Sequence, residues 1–286
     1  MYNPPKQYAW VGFWTRRQFW AVATVLRTVA KLSPFSKIGL ITLVLMVVAT
    51  GMGGPNGRKR RVGIAAFPLL TVWAWENPED LRALDPQRYA VAYLDQTIFI
   101  SPQVWSRPRL QRLLVSPGTR IIAVVRIEAG AAGAAIDAPG LPAQVASLIQ
   151  HSARKPRTAM LQIDFDATRS QRAFYVNLVR EVGKRLPQSM PVSITALASW
   201  CADDDWISGL PVDEAVPMFF RMGIDRPASR QPGWTYPLRE PLCEASAGVA
   251  TDEPWPALRG DERLYVFHPG AWTPAAMAKL EAMVKP

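Results

Sequence analysis

The sequence predicts an α/β fold, on three observations. The 286 residues are 49% hydrophobic and 20% charged, an ordinary globular composition. Short apolar runs alternate along the chain with helical or loop segments, the order that covers a parallel sheet with helices. Within single runs apolar and polar side chains alternate, as they do in a strand with two different faces. The composition excludes collagen-like, disordered and cysteine-scaffold proteins.

Seven strands are predicted directly, and an eighth is expected in the weakly patterned stretch 230–258. The seven cover residues 67–75, 89–94, 120–128, 160–166, 191–199, 215–221 and 264–268. Helices are predicted over residues 141–152, 170–185 and 275–283, and a further one begins at Pro78. Eight such strands fit a closed (β/α)8 barrel of the TIM type better than an open sheet, with irregularity expected in the last third.

Net charge divides the chain into two parts. Residues 1–61 contain ten Lys and Arg and no acid, and residues 62–286 contain 33 − 10 = 23 basic residues against 23 acidic ones. A neutral main part with a basic leader is not the charge pattern of a nucleic-acid-binding protein. We therefore predict a leader over 1–61, a single barrel domain over 62–286 and no nucleic-acid partner.

The leader contains an uncharged apolar run over residues 38–52. Its fifteen residues are short for a membrane span of about 20 residues and suit the apolar region of a signal peptide. The four basic residues at 58–61 instead favour a retained N-terminal hydrophobic helix, because positive flanks resist translocation. Export by a cleaved signal peptide and attachment to the membrane both remain open.

Two carboxylates at the end of the fourth strand are the strongest candidates for catalysis. Asp164 and Asp166 lie on one strand face with Cα atoms about 7 Å apart. Like charges so close push their pKa values apart, which keeps one acid protonated and the other ionised. Glycoside hydrolysis needs one protonated and one ionised carboxyl group. Glu128 from the neighbouring strand is a third candidate for catalysis. Alternatively, arginines neutralise these acids in a structural ion-pair network: Arg126, Arg169, Arg172 and Arg221.

Aromatic and polar residues at predicted strand ends are candidates for binding a carbohydrate polymer or oligosaccharide. Tryptophan rings stack on the apolar faces of sugars, although each ring could instead belong to the core. The aromatic candidates are Trp73, Trp75, Trp200 and Trp272. The polar ones are Glu76, Arg126, Gln162, Ser199, Arg221 and His268. No CxxC, GxGxxG, GxxxxGK[ST] or GxSxG motif occurs, so no metal ion or other cofactor is predicted.

The two cysteines, Cys201 and Cys243, lie in loop-like sequence of the neutral part. In an exported protein such an even pair favours a disulfide. In a reducing compartment both would be free and buried.

Several long motifs resemble the bacterial domain-of-unknown-function family 3142. They are LQIDFDATRSQRAFY over 161–175, SITALASWC over 193–201, DEAVPMFFRMG over 213–223 and VWAWE over 72–76. The resemblance runs through most of residues 65–272. It implies an exported or membrane-anchored module on the periplasmic or extracellular side of the bacterial inner membrane, with Cys201 paired to Cys243. The family name carries no activity.

A more distant resemblance joins the fourth strand to family-18-type glycoside hydrolases, whose pattern there is DxDxE with Glu as proton donor. Asp164 and Asp166 match this pattern, but Thr168 stands at the Glu position. This resemblance implies that Asp166 or Glu128 donates the proton, or that the barrel binds glycans without cutting them. A glycoside hydrolase and a non-catalytic carbohydrate-binding or polysaccharide-export accessory protein are therefore the two main hypotheses. A structural envelope protein that acts through a partner is a third.

Overall fold

Eight parallel strands close into a barrel in the computed structural model, which describes residues 63–100, 103–130, 136–223 and 231–284. The strands in these described residues are β1 Leu70–Ala74, β2 Glu79–Leu81, β3 Tyr89–Ile100, β4 Val104–Pro108, β5 Leu113–Val115, β6 Ile121–Ala129, β7 Thr158–Asp164, β8 Val192–Leu197, β9 Glu214–Met218, β10 Ser246–Ala250 and β11 Arg263–Phe267. The barrel runs β1-β3-β6-β7-β8-β9-β10-β11 and closes where β11 pairs with β1. The predicted parallel barrel is confirmed, and its eighth strand, β10, lies inside the stretch 230–258.

Helices cover this barrel only in part. They are α1 Leu141–Ala153, α2 Arg172–Arg185, the short α3 Ala198–Ala202 and α4 Pro274–Met283. Short 3-10 helices span Arg169–Gln171 and Pro241–Cys243. After β1 and β3 the chain forms β2, β4 and β5 in place of helices. The irregularity was predicted for the last third alone, and the structure has it in the first third as well.

The helix predicted from Pro78 is wrong. Residues Glu79–Leu81 form β2, which pairs in parallel with β5. Glu79 and Leu81 are buried and Asp80 is exposed, so burial follows the two-residue period of a strand. Acids after a proline indicate a helix start only where an apolar face of helical period follows, and that face is absent from this short segment.

Side-chain alternation separates the interior of the barrel from its outer layer, as predicted. The outward residues pack against α1 and α2 and include Ile98, Val125, Ile127, Leu161 and Ile163. The inward residues fill the barrel and include Trp73, Ala92, Ile122, Val124, Met160, Val216 and Tyr265. Inward positions therefore decide which side chains reach the C-terminal mouth.

An ion pair closes the N-terminal end of the barrel. The Arg263 Nη1 atom lies 3.0 Å from Glu214 Oε2, and both side chains are buried. The Tyr265 hydroxyl also donates to Glu214, and Arg263 Nη2 donates to the Ile64 carbonyl at 2.7 Å. These bonds join β9, β11 and the segment before β1, which leaves the opposite end of the barrel for ligands.

A disulfide joins Cys201 of α3 to Cys243 of the 3-10 helix Pro241–Cys243. Their Cα atoms are 5.9 Å apart and both residues are fully buried. The expected pairing is therefore present. The leader and its apolar run 38–52 lie outside the described residues, among which no helix is long and apolar enough to cross a membrane.

Reducing this disulfide should destabilise the barrel domain. The cysteines are 42 residues apart, and a crosslink of that span restricts the unfolded chain by about 4 kcal/mol before strain is subtracted. We expect the free energy of unfolding to fall by about 2–4 kcal/mol when the protein is reduced, measured by urea denaturation. A Cys201→Ala/Cys243→Ala variant is the control, because its stability should not respond to reductant. An unchanged wild-type midpoint on reduction would contradict the prediction.

Candidate active site

A cleft of about 270 Å³ opens at the C-terminal ends of the barrel strands. Most of its wall is apolar: Trp73, Trp75, Val124, Leu197, Ala198, Met218, Phe220, Met222 and Phe267. Its polar lining residues are Arg126, Asp164, Asp166, Thr195 and Arg221. An apolar wall with a few converging polar groups is the usual composition of a small-molecule site, and the volume lies near the lower end of the range for such sites.

Asp164 ends β7 and is buried in the floor of the cleft. Thr195 of β8 donates a hydrogen bond to Asp164 Oδ1 at 2.7 Å, and Arg126 of β6 donates to Oδ2 at 3.3 Å. Burial raises the pKa of the Asp164 carboxyl, and nearby Asp166 adds to that rise. Arg126 and the Thr195 hydrogen bond act in the opposite direction, because both stabilise the ionised form. The net effect is a raised pKa.

Asp166 lies two residues further on and lines the same cleft. Phe165 between the two acids packs into the outer layer, which leaves both aspartates on the cleft side. The Asp166 side chain is open to solvent and makes no hydrogen bond or ion pair within the described parts of the chain. The surrounding walls still remove much of its hydration. This desolvation raises the pKa of Asp166, partly offset by the positive charge of Arg126.

Arg126 links the cleft to the residues beside it. Its guanidinium lies 3.3 Å from Asp164 and 3.2 Å from Glu128, and it covers the ring of Trp75 at 5.7 Å from the centroid. Glu128 is half-exposed and does not line the cleft. It contacts the site through Arg126.

Trp73 crosses the barrel interior below the mouth. Its indole nitrogen donates to Gln162 Oε1 at 2.8 Å, and Gln162 Nε2 donates to Ser193 Oγ at 3.1 Å. A Cβ atom at Gly248 would lie 3.2 Å from the Trp73 ring and 3.3 Å from the Pro217 carbonyl, so the glycine leaves room for this ring. Gln162 thus lies beneath the cleft and positions Trp73.

Arg221 joins two loops at the wall of the cleft. Its backbone has a φ of 52°, in the left-handed region that non-glycine residues rarely adopt. Its side chain pairs with Glu253 and, at 2.6 Å, with Asp252, both in the loop after β10. These ion pairs hold the segment after β9 against that loop.

Two predicted residues lie behind the cleft rather than in its lining. His268 Nδ1 forms a hydrogen bond with Thr251 Oγ1 at 2.6 Å. Trp272 is buried, donates from its indole nitrogen to the Trp73 carbonyl at 2.7 Å and lies beside the His268 ring. Both support the strand ends that carry the cleft.

Three further predicted residues also lie outside the lining. Glu76 pairs with Arg107 at 3.0 Å on the surface. Trp200 is buried in the outer layer against Tyr175, and Ser199 lies beside it in α3. Position at a strand end therefore does not by itself bring a side chain to the mouth, because the direction of the following turn decides.

The structure adds lining residues that were not singled out from the sequence. Among them are Thr195, which bonds Asp164, and the aromatic residues Phe220 and Phe267, whose rings stack at 5.3 Å. Thr195 is one of the polar residues that alternate with apolar ones in the predicted strand 191–199. Phe220 follows β9, where no period marks its direction. Across the described residues, no group of three or more His, Cys, Asp and Glu side chains is arranged to hold a metal ion.

These features define a parallel eight-stranded barrel with an acidic and aromatic cleft at its C-terminal end. Residues 117–218 match the model of the family described as Domain of unknown function (DUF3142). This stretch includes Arg126, Asp164, Asp166 and Thr195, and it supports the resemblance seen in the sequence. No curated protein and no solved structure matches the chain.

Replacing Arg126 should destabilise the protein in a pH-dependent way. Because the pKa of Asp164 in the folded state lies above its ordinary value, its ionisation costs stability, and this cost appears as pH rises through the folded-state pKa. Arg126→Met raises that pKa further and leaves a buried carboxylate without its cation. We expect a loss of about 1–3 kcal/mol near pH 7.5, reduced from the full buried-pair value because Arg126 is partly exposed, and a smaller loss near pH 5.

Urea denaturation at both pH values measures this difference. The matched control is the double variant Arg126→Met/Asp164→Asn, in which residue 164 no longer titrates, so the part of the pH dependence that comes from Asp164 should disappear. An equal loss for Arg126→Met at both pH values would show that the arginine acts through packing alone.

Proposed function

We propose that this protein is a glycoside hydrolase-like barrel that acts on a carbohydrate polymer or oligosaccharide, with Asp166 as general acid and Asp164 as its partner. The observation that carries the proposal is the state of Asp166. It is an accessible carboxyl with a raised pKa and no ion pair among the described residues, in a cleft with aromatic walls. A raised pKa keeps a carboxyl protonated to higher pH, and the protonated form can donate its proton to a leaving oxygen.

The aromatic walls support a sugar as the ligand. Trp73, Trp75, Phe220 and Phe267 present large rigid surfaces to the cleft. Such surfaces cover the C–H faces of a pyranose ring, while polar groups at the rim accept and donate hydrogen bonds to its hydroxyls.

The two acids divide the reaction between them. Asp166 donates its proton to the glycosidic oxygen as the bond from that oxygen to the anomeric carbon breaks. Asp164 acts in its ionised form, which Thr195 and Arg126 favour against the effect of burial by donating to its two oxygens, and it stabilises the positive charge that develops on the sugar. Water then adds to the anomeric carbon and returns a proton to Asp166, so the enzyme ends in its starting state.

A specific observation favours the second candidate, a non-catalytic carbohydrate-binding or polysaccharide-export accessory protein. Thr168 stands where the resembling hydrolases have their donor, and a hydroxyl is too weak an acid for that role. Thr168 instead begins a helical segment: its backbone nitrogen donates to Gln171 Oε1 at 2.9 Å. If Asp166 does not replace the missing Glu, the cleft binds sugars without cutting them.

The proposal extends to the compartment. We infer that the basic leader directs the domain across or onto the bacterial inner membrane, toward periplasmic or extracellular polysaccharide. The disulfide between Cys201 and Cys243 supports an oxidising compartment, since cytosolic thiols are kept reduced.

Asp166→Asn should abolish hydrolysis while leaving the fold intact. Loss of a general acid lowers the rate by about 10²–10⁴-fold, counted as new reducing ends released from laminarin, hydroxyethyl cellulose, dextran and chitosan. Wild-type activity should fall as pH rises through the raised pKa of Asp166, because the proton to be donated is then lost. Asp261→Asn is the control: that carboxylate is 79% exposed and lies at the N-terminal end of the barrel.

The same assay separates the candidates. Equal retention of wild type and Asp166→Asn on one polymer, without release of reducing ends, would favour the binding protein over the hydrolase. Neither retention nor release with any polymer would contradict both.

A further inference from the structure

Strands β3 and β6 continue beyond the barrel at its C-terminal end. Asp164 is the last residue of β7 paired with β6, opposite Arg126. Beyond that point β3 and β6 stay paired through Phe99↔Glu128 and Ile100↔Ala129, and β4 adds an antiparallel edge strand to the same stretch. We call residues 96–100, 104–108 and 126–129 the ribbon.

The ribbon has one covered face and one face toward the cleft. Gln96 donates to the Leu148 carbonyl and to Ser152 of α1, and Ile98 and Ile100 pack in the outer layer. The alternate positions therefore point the other way, toward the side on which Arg126 and Asp164 lie. This face of the ribbon continues the wall of the cleft.

An exposed pair of aromatic side chains, Phe99 and Trp105, lies on the face of the ribbon that is directed toward the cleft. The rings of Phe99 and Trp105 stack with centroids 4.2 Å apart and planes 14° from parallel. Trp105 is 49% exposed, although it is a large apolar side chain. Within the described residues its indole nitrogen has no hydrogen-bond partner, so the nitrogen remains available as a donor. Phe99 covers one face of the indole, and no other ring of the described residues stacks on the opposite face.

Polar side chains surround this pair. The Arg107 guanidinium lies over the Phe99 ring at 5.4 Å and pairs with Glu76 at 3.0 Å. Glu128 is directly across from Phe99 in the strand register. An open aromatic face bordered by guanidinium and carboxylate groups matches a sugar ring, which has C–H faces and a rim of hydroxyls.

The strand register connects the pair to the acids. Arg107 lies opposite Thr97, Thr97 opposite Arg126, and Arg126 opposite Asp164. Three strand spacings separate the first of these from the last, or about 14 Å. The aromatic pair is thus further from Asp164 than a single sugar ring extends.

We propose that Trp105 and Phe99 form a distal subsite, which holds a sugar two or three units along the same polysaccharide chain whose bond lies at Asp166. The inference rests on the proposed function and defines its substrate class as a polymer rather than a mono- or disaccharide. Stacking on Phe99 restricts the Trp105 ring before the ligand arrives, which lowers the entropic cost of binding.

The test compares Trp105→Ala with wild type in the full-length chain. Binding is measured as retention in native gels that contain laminarin, hydroxyethyl cellulose, dextran or chitosan. We expect about tenfold weaker retention of Trp105→Ala by the polymer that retains wild type. We also expect the ratio of activity on that polymer to activity on its disaccharide to fall about tenfold. Leu69→Ala is the matched control, because Leu69 is 53% exposed and precedes β1 at the opposite end of the barrel.

Three results would overturn the inference while the proposed function stands. The first is equal retention of Trp105→Ala and wild type by the polymer. The second is an equal loss of activity on polymer and on disaccharide. The third is a difference in sedimentation mass between Trp105→Ala and wild type, which would identify the ribbon as a contact between copies of the chain. If wild type neither binds nor cuts any polymer, the proposed function itself fails, and this is seen before any variant is made.

Discussion

A carboxylate buried inside a closed barrel needs hydrogen-bond donors or a cation from the neighbouring strands. Asp164 is such a carboxylate, and the positions of its partners determine the layout of the cleft. Its partners come from both sides, Arg126 from β6 and Thr195 from β8. Because the parallel strands are held in register, these partners lie on the strands next to β7 and point toward the same cleft. Arg126 then has the rest of its guanidinium available to contact Glu128 and the Trp75 ring. Asp164 thereby fixes the position of Arg126, and Arg126 in turn contacts both an acidic and an aromatic side chain beside the cleft.

The two aspartates differ because this arginine serves only one of them directly. A structural ion-pair network accounts for Asp164, and the other predicted arginines with ion pairs are engaged elsewhere: Arg172 with Asp204 at 2.5 Å, and Arg221 with Asp252 and Glu253. Asp166 has no such partner within the described chain. Its raised pKa comes from the enclosing walls rather than from a hydrogen bond to its acid form. A purely structural role therefore explains Asp164, which is paired with Arg126. It does not explain the position of Asp166 in a cleft with aromatic walls.

Side-chain periodicity predicted the barrel interior well, because alternation is a local property. The pattern of residues 161–166 was sufficient to put Asp164 and Asp166 on one side and Phe165 on the other. The direction that the chain takes after a strand ends cannot be read from such a local pattern. Trp75, Trp200 and Trp272 all follow strands, yet Trp200 and Trp272 are buried, Trp272 with its indole nitrogen bound to the Trp73 carbonyl. The strand predicted over 89–94 stopped at two polar residues, Asp95 and Gln96, which the structure buries instead.

Asp95 explains why the ribbon could not be predicted and why its aromatic face exists. The pairing of β3 with β6 shifts between Leu94 and Gln96, so Asp95 is an extra residue in β3. One extra residue exchanges the two faces of every position after it. Without the bulge, Phe99 would point toward α1, and Ile98 would point toward the cleft. The bulged carboxylate is buried and held by Lys155 at 2.6 Å and by the Tyr93 hydroxyl at 2.8 Å. The reach of the cleft beyond the barrel therefore depends on a second buried acid, which its neighbours bind at one oxygen, Oδ1.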